Sequence, residues 1–275
     1  MKRRSLVAWL GSALVAVFGG GRLAASQTRP SYPPPMPPKA RARWDKERAR
    51  LLAAVPYPRV EVPGARALAE WQRLRAEGKG WPVIVGDDEQ LDAIAEQFSI
   101  DEPAPAPAAI LAKAAALRFP DSLAQWSGTD PDLPDPPLGT WPAPDAVAGT
   151  GLTVANDIVS GAPFSRVHIL LIPPASSWEV PAYLRWGNWN ACPAPEQHVA
   201  ALRHWNERFG AELVGIDRDT LNLRTTRRPA DRQSALALAG DQYRYFPDII
   251  DQGVGSLSTL AAILMAGDWW FFWWD

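Results

Sequence analysis

One cysteine, Cys192, stands in a chain of 275 residues, so no internal disulfide can form and the core must hold without a staple. Histidine is almost as scarce. With only His168, His198 and His204 beside one cysteine, the structural zinc clusters built on two or more cysteines are excluded by count. The chain has no glycine-rich phosphate loop, no Gly-x-Ser-x-Gly elbow and no His-Glu-x-x-His helix, which removes the common nucleotide-binding, serine-hydrolase and zinc-protease signatures. No metal and no cofactor is expected. Residues 6–18 form an apolar run, but it falls short of the ~20 residues that a membrane span needs.

That short run reads instead as the core of an export signal. Lys2-Arg3-Arg4 precedes it, and the small residues Ala24-Ala25-Ser26 offer a cleavage site at its end. Arg3-Arg4 before Ser5-Leu6-Val7 loosely resembles a twin-arginine signal, and the choice between the two export routes stays open. A periplasmic or secreted protein is expected, with no stable membrane span after processing. Removing residues 1–26 takes Lys2, Arg3, Arg4 and Arg22 from the 28 basic residues, leaving 24 against 30 acidic, a net of −6. Such a surface is not built to hold a nucleic-acid backbone, which needs a basic patch.

Proline (28) and tryptophan (14) are what the chain has in excess, so long ordered loops and aromatic packing are expected. After the signal, residues 27–40 read as a proline-rich spacer around Pro33-Pro-Pro35. A mainly helical region follows over 41–120. It holds helices at 40–54, 65–77, 89–98 and 104–117, and a short buried strand at 81–85. Residues 121–150, rich in Pro, Asp and Gly, read as a linker. Asp130, Asp132 and Asp135 within it match no standard calcium spacing and read as turn residues.

Residues 151–275 form the second region. A strand over 167–172 stops at Pro173-Pro174. A helix over 195–209 starts with Pro195 in its first turn and ends at Gly210. Strands at 212–216 and 221–225 flank a tight turn, and helices follow at 231–243 and 256–265. The chain closes on Trp269-Trp-Phe-Phe-Trp-Trp274 and Asp275. Each aromatic ring carries roughly 150–250 Å² of surface, so this tail must be covered. It is read as a last strand, central or next to central, with both faces buried and the N-terminal helices as its second cover. The order β-α-β-β-α-(α)-β is a split βαβ pattern, giving an α+β fold with an antiparallel, ferredoxin-like sheet.

Several motifs lie together in this region. They are Trp178-Glu-Val-Pro-Ala182, Trp186-Gly-Asn-Trp-Asn190, Cys192-Pro193, Tyr245-Phe-Pro-Asp-Ile249, Asp251-Gln-Gly253 and the aromatic end. In combination they resemble the DUF4253 family, a bacterial domain of unknown function, over roughly residues 150–275. The resemblance implies no activity, substrate or catalytic residue. A cysteine is common in that pattern where this chain has Phe246, so a paired-thiol role lacks its second member.

Three groups of residues are candidates for function. Trp186, Asn188, Trp189 and Asn190 could wall a polar ligand or meet a partner, or the asparagines could serve only the loop's own backbone. Asp248 and Asp251, with the terminal Asp275, could form an acidic cluster, or cap helices. Cys192 precedes a helix start and His198 follows six residues later, so a nucleophilic pair is conceivable. His198 shares the helix's inner face with Leu202 and Trp205, which favours packing. His204 falls on the outer face and is expected in solvent. The leading expectation is a non-catalytic binding module for an envelope protein, or for a polar glycan or peptide. The alternatives are an envelope hydrolase using Cys192/His198 or the aspartates, and a structural envelope protein.

Overall fold

The computed structural model describes residues 37–99, 105–125, 135–147, 149–173 and 175–274. The expected export signal, nearly all of the expected proline-rich spacer, Asp130, Asp132 and Asp275 lie outside the described residues. Two compact units divide the chain, Met1–Lys46 and Glu47–Asp275. The described part of the first is the opening of helix α1 (Pro38–Ala53), with an Arg41–Asp45 ion pair one helical turn apart. The sheet, the core and the sites below belong to the second.

The second unit is α+β, built on a mixed six-stranded sheet. In chain order its strands are β1 (Arg59–Val62), β2 (Trp81–Ile84), β3 (Val167–Ile172), β4 (Glu212–Ile216), β5 (Thr220–Arg224) and β6 (Trp269–Trp273). In space they run β1-β3-β2-β4-β5-β6. All neighbours are antiparallel except β2 and β4, which run parallel and meet at Ile84 and Gly215. The ferredoxin-like expectation is corrected here. That arrangement needs β3, β4, β5 and β6 to form a sheet among themselves, whereas β2 from the N-terminal region lies between β3 and β4. The region over 41–120 therefore supplies two strands as well as helices, and its core is continuous with that of the C-terminal region.

Pro82 sits within this inner strand, where proline is rare. Because Val85 N–H points to the β3 carbonyl of His168, strand alternation turns the missing N–H of Pro82 toward β4. Two indoles make up for it. Trp81 Nε1 donates to the β4 carbonyl of Leu213 at 2.8 Å, and Trp71 Nε1 donates to the Pro82 carbonyl at 2.8 Å. Trp71 comes from helix α2 (Ala67–Glu77), which ends at the left-handed Gly78. Helix α3 (Asp88–Ser99) follows β2 directly, and Asp87 Oδ1 caps it by accepting from the backbone N–H of Glu89 and Gln90.

The aromatic tail is a strand, as expected, but it is an edge strand and only one of its faces is buried. Trp270, Phe272 and Trp274 point inward, while Trp269, Phe271 and Trp273 are half-buried. The inner row packs on helix α6 (Pro195–Phe209) and helix α7 (Arg232–Tyr245). Trp205 stacks on Phe272 with ring centres 5.4 Å apart, and Tyr245 meets Phe272 and Trp274 edge-on at 5.3 Å. Helix α4 (Pro107–Ala116) and the short helix α5 (Val180–Leu184) lie against α6, and helix α8 (Leu257–Ala266) packs on α7.

Described parts of the 121–150 segment pack on the domain. Ser122 bonds Gln197 of α6, the Pro137 and Leu138 carbonyls accept from the start of α8, and the Arg232 guanidinium lies over Trp141. On the opposite face of the sheet the buried Asn222 fastens a loop. Its Oδ1 accepts from Thr153 N, Thr153 Oγ1 and Val154 N at 2.8–3.0 Å. Among the described residues, no helix is long and apolar enough to cross a membrane.

Candidate functional site

Where β2 and β4 run parallel, their carboxyl ends face the same way, and ligands commonly bind outside such ends. This end gathers the β2–α3 turn, the start of β3, the β4–β5 hairpin and the end of β6. The loop over 186–190 reaches it through Trp186, whose Nε1 donates to the Asp217 carbonyl at 2.6 Å.

The loop is shaped by its own backbone. Arg185, Gly187, Asn188 and Asn190 all have positive φ, a conformation that glycine and asparagine tolerate best. Asn188 N–H donates to the Pro193 carbonyl at 2.9 Å and Cys192 N–H to the Trp189 carbonyl at 2.7 Å. Gly187 has no substitute here. A Cβ on it would stand 2.3 Å from the Pro193 oxygen and 2.8 Å from the His198 ring. Trp186 is 1% exposed and is part of the scaffold rather than a wall open to a ligand. Asn188 and Asn190 face outward, and Trp189 is half-buried edge-on against Trp186.

Beneath the loop, the structure brings Cys192 and His198 together. Cys192 Sγ lies 3.3 Å from His198 Nε2, and His198 Nδ1 lies 2.5 Å from the Tyr245 hydroxyl. Each ring nitrogen of His198 thus faces a buried polar partner, the thiol on one side and the phenol on the other. All three are buried, inside a cage of Trp186, Trp274, Trp205 and Phe272. Burial dominates their ionisation. It pushes the Cys192 thiol and the Tyr245 phenol far up, and the His198 imidazole down to about 3. A nucleophilic cysteine needs a thiolate and an approach path. This one is a neutral, enclosed thiol in a hydrogen-bonded aromatic core. Tyr245, the third member, is part of the Tyr245-Phe-Pro-Asp-Ile249 motif but was not singled out from sequence.

Asp248 and Asp251 follow the Tyr245-Phe246 end of α7. Phe246, two residues before Asp248, packs on Trp274, which in turn packs on Trp186. Asp251 lies in a wide helical turn (Ile249–Val254) and accepts from the Tyr243 hydroxyl at 3.4 Å. Burial, with the nearby Asp248 charge, pushes its carboxyl up despite that bond. Among the described residues no group of three or more His, Cys, Asp and Glu is placed to hold a metal ion.

A second polar cluster at the same sheet end was not anticipated. His168 on β3 is 1% exposed, and its Nε2 lies 2.8 Å from Asp88 Oδ1 at the start of α3. Arg166 and Arg48 pair with the same carboxylate, and Arg48 also bonds Asp92 at 2.7 Å. Burial works to raise the Asp88 carboxyl, but the Arg166 and His168 hydrogen bonds and the Arg166 and Arg48 charges hold it down at about 2. Asp87, Asp88, Phe164, Ser165 and Arg166 line a cavity of about 270 Å³ there. The signal in the sequence was Arg166 and His168 two apart at the start of a strand. It could not show that Asp88, 80 residues away, would meet them.

The fold is thus a mixed-sheet α+β domain whose motifs converge on one aromatic core. Residues 168–275, the C-terminal region, match the DUF4253 family, a domain of unknown function. No curated protein and no solved structure matches the chain.

Proposed function

We propose that the protein is an exported, non-catalytic binding module, and that it meets its partner through the sheet end bearing the 186–190 loop. The observation that carries this reading is the complete burial of Cys192 and His198 beneath a loop whose outward groups are amides. The chemically capable pair serves the core, while Asn188 and Asn190 present donors and acceptors on a backbone already bent into shape. Preformed polar loops bind at low ordering cost. We include Asp248 and Asp251 in this proposal as an acidic flank, and Asp275 from its sequence position alone. An envelope protein is the first choice of partner, and a polar glycan or peptide the second. Export rests on the basic, apolar and small-residue sequence of the leader.

The test uses the processed chain as bait in an extract of its own cell envelope. Asn188→Asp with Asn190→Asp keeps residues that tolerate positive φ but replaces both amides with carboxylates. This pair should abolish capture of any partner that the wild type and Cys192→Ala both retain. Capture indifferent to the loop pair would overturn the reading. So would a turnover that Cys192→Ala removes while the fold stays intact.

A further inference from the structure

A cavity of about 360 Å³ lies away from the 186–190 loop, between the end of α4 and the outer face of α6. Its apolar part is formed by Leu117, Phe119 and Ala200. Its polar part is formed by Arg118, Arg203, His204 and Glu207. The size falls at the lower end of the roughly 300–1,000 Å³ usual for small-molecule pockets.

Neither guanidinium is neutralised by an acid among the described residues. Arg203 spends one terminal nitrogen, Nη2, on the carbonyls of Ala114 and Leu117 at 3.1 and 3.4 Å. Its Nη1 and Nε remain. Arg118, exposed at the rim, reaches the Leu117 carbonyl at 3.4 Å with Nη1 alone. His204 is half-buried against Phe119, with ring centres 5.3 Å apart, rather than in solvent as its outer-face position suggested. Arg208 Nη1 lies 3.2 Å from His204 Nε2, and a guanidinium can only donate. Nε2 is therefore the acceptor, and the ring proton sits on Nδ1, a further donor. Glu207 sets the charge. Two guanidiniums against one carboxylate leave the cavity with a single positive charge beside a neutral imidazole.

The geometry points to a binding site for a small monocarboxylate with an apolar, ring-sized body. Its carboxylate would meet the free edges of Arg203 and Arg118, and its body would lie on Phe119 and Leu117. Guanidinium forks match carboxylates in two-point geometry. A phosphate dianion would carry a second charge toward Glu207 and leave the phenyl wall unused.

The experiment is calorimetric titration of the full chain with benzoate, acetate and inorganic phosphate. Benzoate should bind saturably at one site, with acetate and phosphate about fivefold weaker or more, since each lacks either the ring or the single charge. Arg118→Ala, and separately Arg203→Lys, should each weaken benzoate about tenfold by removing a fork. Arg203→Lys keeps a cation at the end of α4, and Arg118 is at the surface, so the melting temperature of at least the Arg118 variant should stay at the wild-type value. No saturable benzoate binding, phosphate binding tighter than benzoate, or benzoate affinity indifferent to Arg118→Ala would each overturn the assignment.

Discussion

The Tyr245 hydroxyl and His198 Nδ1 stand 2.5 Å apart, joining the end of α7 to the first turn of α6 across 47 residues of sequence. With Cys192 at 3.3 Å on the other side of the ring, they form a polar thread through an otherwise aromatic core. Buried polar groups are stabilising when each is satisfied and costly when one is orphaned.

Tyr245→Phe therefore removes the hydroxyl partner of Nδ1 while keeping the ring that meets Trp205, Phe272 and Trp274. The expected loss is about 1–3 kcal/mol of folding stability, the cost of a buried polar atom left unsatisfied. Urea unfolding would measure it, and an unchanged midpoint would show that the hydrogen bond contributes nothing.

Cys192 is 0% exposed, and burial holds its thiol in the neutral form. A thiol reagent such as Ellman's should fail to label the folded protein at pH 8. It should label one equivalent once guanidinium unfolds the chain. Stoichiometric reaction in native buffer would contradict the enclosed-thiol geometry.

Gly187→Ala should be among the most damaging single changes. Its φ of 117° is strained for any residue with a Cβ, and that atom would strike both the Pro193 oxygen and the His198 ring. Clash and strain together should cost more than about 2 kcal/mol. A wild-type melting curve for this variant would mean that the loop can take another path.

Asp217 gives the protein a pH dependence with a definite sign. The residue is buried in the β4–β5 turn, and burial, then the charge of Asp219, pushes its carboxyl up to about 7 against the N–H bonds of Asp219 and Thr220. In the unfolded chain the same carboxyl titrates at about 3.9. Between those values the unfolded state gives up a proton that the folded state keeps, so stability falls as pH rises from about 4 to 7. Above that range both states are ionised and the contribution is gone. Asp217→Asn keeps the acceptor and stays neutral, so it should flatten this slope and be more stable than wild type at pH 8. Parallel slopes in thermal melts of the two proteins would refute the assignment.

Much of the local structure was legible. The run Trp81-Pro-Val-Ile84, between Gly80 and Gly86, reads as a buried strand, and β2 is one. Pro195 and Gly210 mark the two ends of α6, and the alternating tail is a strand. Strand β1 was not seen. Its Arg59 and Glu61 face solvent, as charged residues do on an edge strand, so no apolar run betrays it. The burial of the tail was half right. Alternation shows two aromatic faces, but only the packing of Trp205 and Tyr245 reveals which row is covered.

The sequence by itself determined most of the helices and strands, the absence of an internal disulfide, and the identity of the aromatic end, because these follow from residue type and short-range spacing. Tertiary structure alone decided that β2 would part β3 from β4, that Trp186 would be enclosed while Asn188 and Asn190 face out, and that Asp88 would reach His168. Those outcomes depend on contacts tens to more than a hundred residues apart. Such contacts form only because burying the whole set of rings and strands together outweighs the entropy of closing the long loops between them.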